Sequence, residues 1–185
     1  MKKLVYFAAL LLTTVFASCE KEEIGGTATQ ATAGQWYVTV DPADGNGNLV
    51  AGLEDLFGLG RITMLTFNTA ENTPNEMIVS DIQNFWDFKV KVETDQQALT
   101  FQTTTTGNNN LVSGYENINV TITGGKIIPK DSPKDDEKIA RQNNGSPADS
   151  IVFYVSFSDD PYPAIYGYAN YRVSGIRYSG LEEND

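Results

Sequence analysis

The chain has no histidine and one cysteine in 185 residues. Without histidine there is no Ser-His-Asp triad and no Cys-His nucleophile pair. A zinc site built on His and Cys ligands is excluded as well. One cysteine cannot form an internal disulfide, so the core must hold by packing alone. Basic side chains are also scarce, 13 against 24 acids, for a net charge of −11. That field repels polyanions, which argues against a nucleic-acid partner and against a peripheral grip on anionic lipid. No metal site and no cofactor is expected. For catalysis there remain Asp/Glu pairs, Lys, Tyr or a carboxylate-bound hard cation, and no set of catalytic residues emerges from them.

Long apolar runs are equally rare. One spans Leu4 to Phe16, about 13 residues, which is short for an easy bilayer span. Lys2 and Lys3 precede it, and Ala17, Ser18 and Cys19 follow. A basic start, an apolar stretch and small residues before a cut site make a secretory signal. With Cys19 at the cut, the layout resembles a bacterial lipoprotein signal, in which the cysteine is lipidated and becomes the first mature residue. Phe16 stands where such signals usually carry Leu. Residues 1–18 are thus expected as signal peptide and Cys19 as the lipidation site, tying the protein to a membrane. Lys21-Glu22-Glu23 resembles the signal that sends Bacteroidetes lipoproteins to the cell surface. A lipid-anchored, surface-exposed location on the outer membrane is expected. The mature chain would hold 11 basic and 24 acidic side chains, net −13.

Residues 19–33, rich in Gly, Thr and Ala, read as a lipidated tether. Residues 34–181 read as one domain, and 182–185 as an acidic tail. Within the domain the apolar residues alternate. Trp36, Val38 and Val40 share one face of a first strand; Arg61–Phe67 and Glu76–Val79 follow. Trp86, Phe88, Val90 and Val92 oppose Asp87, Lys89 and Lys91 in the clearest alternation. Further strands are expected at Leu99–Phe101, Ile118–Thr123, Ile151–Phe157, Ile165–Arg172 and Gly175–Tyr178. Period 2 with one polar face means one buried and one wet side. Leu49, Leu53, Leu56 and Phe57 recur at helical spacing and predict a short helix near 49–57 ended by Gly58 and Gly60. Pro129 to Pro147 reads as a long mobile loop. The fold class is all-β, a single antiparallel barrel of about eight strands.

Five pieces of text carry a family resemblance: Gly34-Gln35-Trp36-Tyr37-Val38, Thr66-Phe67-Asn68-Thr69-Ala70, Asn84 to Val92, Ser150-Ile151-Val152-Phe153 leading to Asp159-Asp160-Pro161, and Gly167-Tyr168 with Tyr171-Arg172 and Gly175. Together they resemble the Bacteroidetes family called lipid-binding putative hydrolases, over about residues 34–181. The resemblance implies a lipocalin-like, calycin-type barrel carried on a secreted lipoprotein.

Trp36 and Trp86, with Phe88, Phe153, Phe157 and Tyr168 beside them, either line a ligand cavity or fill the core. Arg172 is expected to stack on Trp36 as a cation–π pair that closes one barrel end, or to recognise an anion. Asp159-Asp160 reads as a Pro-led turn or as half of a glycosidase pair. Asp135-Asp136-Glu137 reads as a solvated face. Asp44-Gly45-Asn46-Gly47-Asn48 matches the first ligand positions of a calcium loop and then breaks, so it reads as a turn. Asp149-Ser150-Ile151 fits a short O-glycosylation pattern. The leading expectation is a non-catalytic module that binds a small apolar or amphipathic molecule, a lipid among the candidates. The alternatives are a hydrolase using Asp, Glu or Tyr or a bound cation, and a glycan- or protein-binding accessory of an outer-membrane uptake complex.

Overall fold

The computed structural model describes residues 26–134 and 137–184. Cys19, the signal segment, residues 19–25 of the expected tether, and Asp135, Asp136 and Asp185 lie outside the described residues.

Period-2 alternation becomes a closed antiparallel barrel. Its strands are β1 (Gly34–Ala43), β2 (Ile62–Asn68), β3 (Glu76–Ser80), β4 (Lys89–Asp95), β5 (Thr100–Gln102), β6 (Val120–Ile128), β9 (Ser150–Phe157) and β10 (Asn170–Arg177). Each pairs with its sequence neighbour, and β10 returns to β1 to close the ring. A two-stranded hairpin, β7 (Ala140–Arg141) with β8 (Pro147–Ala148), is inserted between β6 and β9 as a separate sheet. It forms within the stretch expected to be only a mobile loop. Closure leaves the barrel itself without an edge strand.

The closing seam needs β10 to come very near β1. Gly175 lies opposite Val38, and a Cβ on it would overlap the Tyr37 carbonyl oxygen. Only glycine fits such an approach.

Inward positions are mostly apolar, with Thr66 on β2 and Thr94 on β4 as hydrogen-bonded exceptions. Trp36, Phe88, Val120, Phe153, Val155, Tyr171 and Val173 have no surface that a water-sized sphere can touch. The interior around them is therefore packed, as in a small barrel filled by side chains. Each such side chain stabilises the fold by roughly 1.5–3 kcal/mol relative to exposure.

Several expected boundaries move. No helix forms at 49–57; turns replace it, with Asp55, Gly52, Gly58 and Gly60 all at positive φ, a conformation no α-helix admits. The helical element is elsewhere: α1 (Tyr162–Tyr166) follows Pro161, carries a proline in its first turn, and stops at the left-handed Gly167. It takes the place of the first half of the strand expected at Ile165–Arg172. The second half joins the expected last strand as one continuous β10. Strand β4 begins at Lys89, so Trp86 precedes it. Residues 26–33, expected as tether, pack on the barrel with Thr29 and Thr32 fully buried.

The barrel end where β1 begins is closed by that segment. The Trp36 indole N–H donates to Thr66 Oγ1 at 2.9 Å, and the Thr66 hydroxyl donates to the Thr32 carbonyl at 2.7 Å. Arg177, and not Arg172, lies over the Trp36 ring, 4.3 Å from its centroid. Arg177 also donates to Asp149 at 2.9 Å and to the Ala33 carbonyl. Strand parity explains the correction. Tyr171 and Val173 point inward, so Arg172 faces the outer wall opposite Asp41, whereas Arg177 pairs with Trp36 across the seam.

Arg177→Ala is expected to cost about 2 kcal/mol from the lost cation–π contact, half-exposed ion pair and carbonyl bond. Arg172→Ala is expected to cost about 0.5 kcal/mol or less, the usual surface range. Thermal melts of the two variants check this; equal losses would reject the assignment.

Candidate ligand-binding site

The long β6–β9 connection is at the first end, while the opposite end, where β1 finishes, carries four connections of eight residues or more, 44–61, 81–88, 103–119 and 158–169. Each is fixed by polar groups spent on its own backbone, and together they present an aromatic cluster.

Asp81 organises the second loop. It is fully buried, and its carboxylate accepts backbone N–H bonds from Gln83, Phe85, Trp86 and Phe88 at 2.8–3.1 Å. Four donors on one carboxylate offset the cost of burying it. The wrap forces Ile82, Gln83 and Asp87 to positive φ, which a β-branched residue such as Ile82 rarely adopts. The buried Asn110 then ties the third loop to the second, accepting from the Lys89 N–H and donating to the Asp87 carbonyl at 3.0 Å each. The Asp55 carboxylate accepts from the Leu59 and Gly60 N–H groups, and the Asp55 N–H donates to Asp41. This pins residues 50–57 as a strap whose Leu53, Leu56 and Phe57 pack across the barrel mouth.

At the mouth, Trp86 stacks on Phe157 with ring centroids 5.2 Å apart and planes 13° from parallel. Phe57 meets Phe85, Trp86, Tyr162 and Tyr171 at 5.2–6.1 Å. Two carboxylates border the cluster. Asp159 accepts from the Trp86 indole N–H at 3.1 Å, and Asp160 accepts from the Tyr171 hydroxyl at 2.7 Å. The Tyr171 hydroxyl is also hydrogen-bonded to that of Tyr168.

Burial, reinforced by the bonds to Tyr168 and Asp160, pushes the Tyr171 phenol far above its ordinary range. Burial pushes Tyr168 up to about 12, partly opposed by its bond to Tyr171. Both phenols therefore keep their protons at neutral pH and act as hydrogen-bond donors; neither is poised as a nucleophile or base.

The sequence-derived site residues separate into three groups. Trp36, Phe88 and Phe153 are sealed in the interior. Trp86, Phe157 and Tyr168 come together at the mouth. Arg172 stands alone on the outer wall, its Nε buried and without a hydrogen-bond partner. Phe57, Phe85, Tyr162, Tyr171 and Asp81 belong to the mouth and were missed. The alternation of Trp86 and Phe88 with Asp87 predicts the start of a strand, and the signal against it is Asp81, an acid just ahead of three closely spaced aromatic residues.

An open cleft of about 720 Å³ lies at the other end, on the β4–β5–β6 wall. Its carboxylates are engaged: Glu93 accepts from the Thr104 hydroxyl and Asp95 from the Gln97 and Ala98 N–H groups. Those two backbone bonds hold the Asp95 carboxyl below its usual range. The calcium-loop text is a turn, in which Asp44 accepts from the Asn46 and Asn48 N–H groups. Bonds from Asn48 hold its carboxyl below the usual range. Among the described residues no three His, Cys, Asp or Glu side chains gather to hold a metal ion.

The sequence matches the family described as lipid-binding putative hydrolase over residues 21–182. No curated protein matches the chain.

Two measurements check the mouth. Asp81→Asn sets an amide N–H₂ against backbone donors and is expected to cost about 3 kcal/mol or more, with Trp86 becoming more open to iodide quenching; unchanged quenching and stability would reject the wrap. In alkaline titration the raised phenols bind protons in the folded chain that the unfolded chain has released. The phenols' contribution is therefore constant below pH about 10 and is lost as pH rises toward 12 and beyond, by about 1.4 kcal/mol per pH unit per withheld proton. Tyr171→Phe should shallow that slope, and an unaltered slope would contradict the assignment.

Proposed function

The chain belongs to the family of lipid-binding putative hydrolases, and from that membership we propose that it is a lipid-anchored module that binds one small apolar or amphipathic molecule, a lipid-like one, without turning it over. The observation that carries this is the pairing of a sealed interior with an aromatic mouth. A ligand finds no space around Trp36, Phe88 and Phe153. At the mouth it finds the partly exposed rings of Trp86 and Tyr162, roofed by a strap that packs mainly through Leu53, Leu56 and Phe57.

The strap is bounded by glycines at positive φ on both sides, Gly52 and Gly58, and such positions swing with little steric penalty. Lifting it would exchange the apolar side chains of residues 53–57 for an alkyl chain of similar volume, leaving the platform of Trp86 on Phe157 beneath. The hydroxyl protons of Tyr168 and Tyr171 are spent on Tyr171 and Asp160, so these rings offer a ligand apolar contact and neither is set up for covalent chemistry.

The address completes the reading. Cys19 would carry the acyl chains, and an acidic stretch beginning at Glu20 would lead to a barrel displayed outside the outer membrane. The described chain enters at the sealed end, where Thr32 is bonded to Thr66, so an anchor at Cys19 would join the barrel at the end away from the mouth.

Native mass spectrometry with 1-monolaurin, a neutral lipid-like probe, tests the function. One bound equivalent is expected, and Trp86→Ala should weaken it about tenfold, the loss of one well-packed aromatic contact. Absence of any adduct, or a Trp86→Ala affinity equal to that of the parent, would overturn the proposal.

A further inference from the structure

The mouth loops are unusual in what they expose. Leu49, Ile82, Leu111, Tyr115, Ile165 and Tyr166 stand exposed, six of the eight large apolar side chains that do so among the described residues, and all six lie on the four connections at this end. Ile165 is 64 % exposed. Large apolar side chains gathered at one end of a barrel mark a surface that meets something apolar.

The charges around them have one sign. The first loop carries Asp44, Glu54 and Asp55, the second Asp87, the third Glu116, and the fourth Asp159 and Asp160, with Asp81 buried beneath. The sole base on these loops is Arg61, at the edge of β2, where its guanidinium lies over the Tyr37 ring. Lys89 and Arg172 sit on the wall strands next to the loops; the Lys89 amine lies over Phe67, and Arg172 is opposite Asp41. None of these three cations has a carboxylate of the mouth within ion-pair distance.

Apolar tips set in an acidic ring repel anionic amphiphiles and anionic lipid surfaces, and attract an apolar body that carries positive charge. Aromatic faces add to that preference, because the negative face of an indole or phenol ring attracts a cation. Asp159, exposed and bonded to the Trp86 indole, puts a carboxylate at the rim of the stacked Trp86–Phe157 platform. We propose that the mouth selects amphiphiles with a cationic head group, the alkyl part lying against Trp86, Phe157 and Tyr162 and the cation held by Asp159 over the aromatic rim. This rests on the mouth being the ligand site, and it adds the charge of the ligand.

Calorimetric titration of the full chain with three twelve-carbon probes below their micelle concentrations decides the matter: dodecyltrimethylammonium, dodecyl sulfate and 1-monolaurin. The ammonium should bind about tenfold or more tighter than the sulfate at low salt, and the ratio should shrink as salt rises. Asp159→Asn should bring the ratio toward one, Asp159→Glu should restore it, and Asp95→Asn at the distant cleft should leave it alone. Sulfate binding as tightly as the ammonium would overturn the cationic preference, and a ratio that survives Asp159→Asn intact would overturn the seat of the cation at Asp159, while monolaurin binding leaves the ligand site standing. Failure of all three probes to bind would overturn both.

Discussion

The closure of β10 on β1 is the constraint from which the rest follows. It depends on a backbone approach that only Gly175 allows, and it fixes the circumference at eight strands. An eight-stranded ring has room for side chains or for one small ligand. Here tryptophan, tyrosine and phenylalanine from β1, β9 and β10 and from the edge of β4 take that room, and their contact surfaces are sealed even against water. The choice between ligand and side chains was thus made in favour of side chains. Binding, if it is to occur, is displaced from the lumen to the ends.

The two ends resolve the consequence differently. At one, the segment before β1 folds in, and a chain of bonds from Trp36 through Thr66 to Thr32 joins lumen, wall and entering chain. Arg177 covers the same tryptophan and reaches Asp149 and Ala33. Every polar group named there is turned inward to the fold. At the other, Asp81 and Asp55 consume their charges on backbone N–H groups, and in doing so force loops into conformations that push aromatic and aliphatic side chains outward. A strained backbone held by a buried carboxylate is a costly arrangement, and such strain concentrates where a surface has work to do.

Alternation made the strands readable. Val38 and Val40, Val90 and Val92, and Ile151 through Phe157 stand in the lumen as their spacing implies, because one side of every strand must be buried and the other wet. The same parity held the answer for Arg177. Tyr171, Val173 and Arg177 share one face of β10, and Arg172 falls on the other, so the cation over Trp36 could have been deduced once the register of β10 was fixed. What separated the two arginines was a boundary: α1 occupies residues that also alternate, and Gly167, not hydropathy, marks where the helix ends. The strap failed for a related reason. Leu49, Leu53, Leu56 and Phe57 repeat like a helix, yet they are apolar because they cross a mouth, and local spacing does not distinguish packing against a core from packing within a turn of helix.

The lone cysteine and the missing histidine take on a different weight beside this geometry. They remove the common nucleophiles from the domain, and the phenols that remain at the mouth are held in their protonated form by burial and by Asp160. Phenols committed to each other and to Asp160 suit recognition by contact more than covalent chemistry. A tether leaving the sealed end would turn the acidic, aromatic end toward the surroundings, which is the orientation a receptor of soluble amphiphiles requires and the opposite of one that extracts lipid from its own membrane. The same acidic ring would hold the mouth off an anionic bilayer even if the tether bent back, since each carboxylate near such a surface is repelled within about a Debye length, roughly 8 Å at physiological salt. Anchor and charge would then act in one direction, keeping the proposed binding end free for a ligand that arrives from outside.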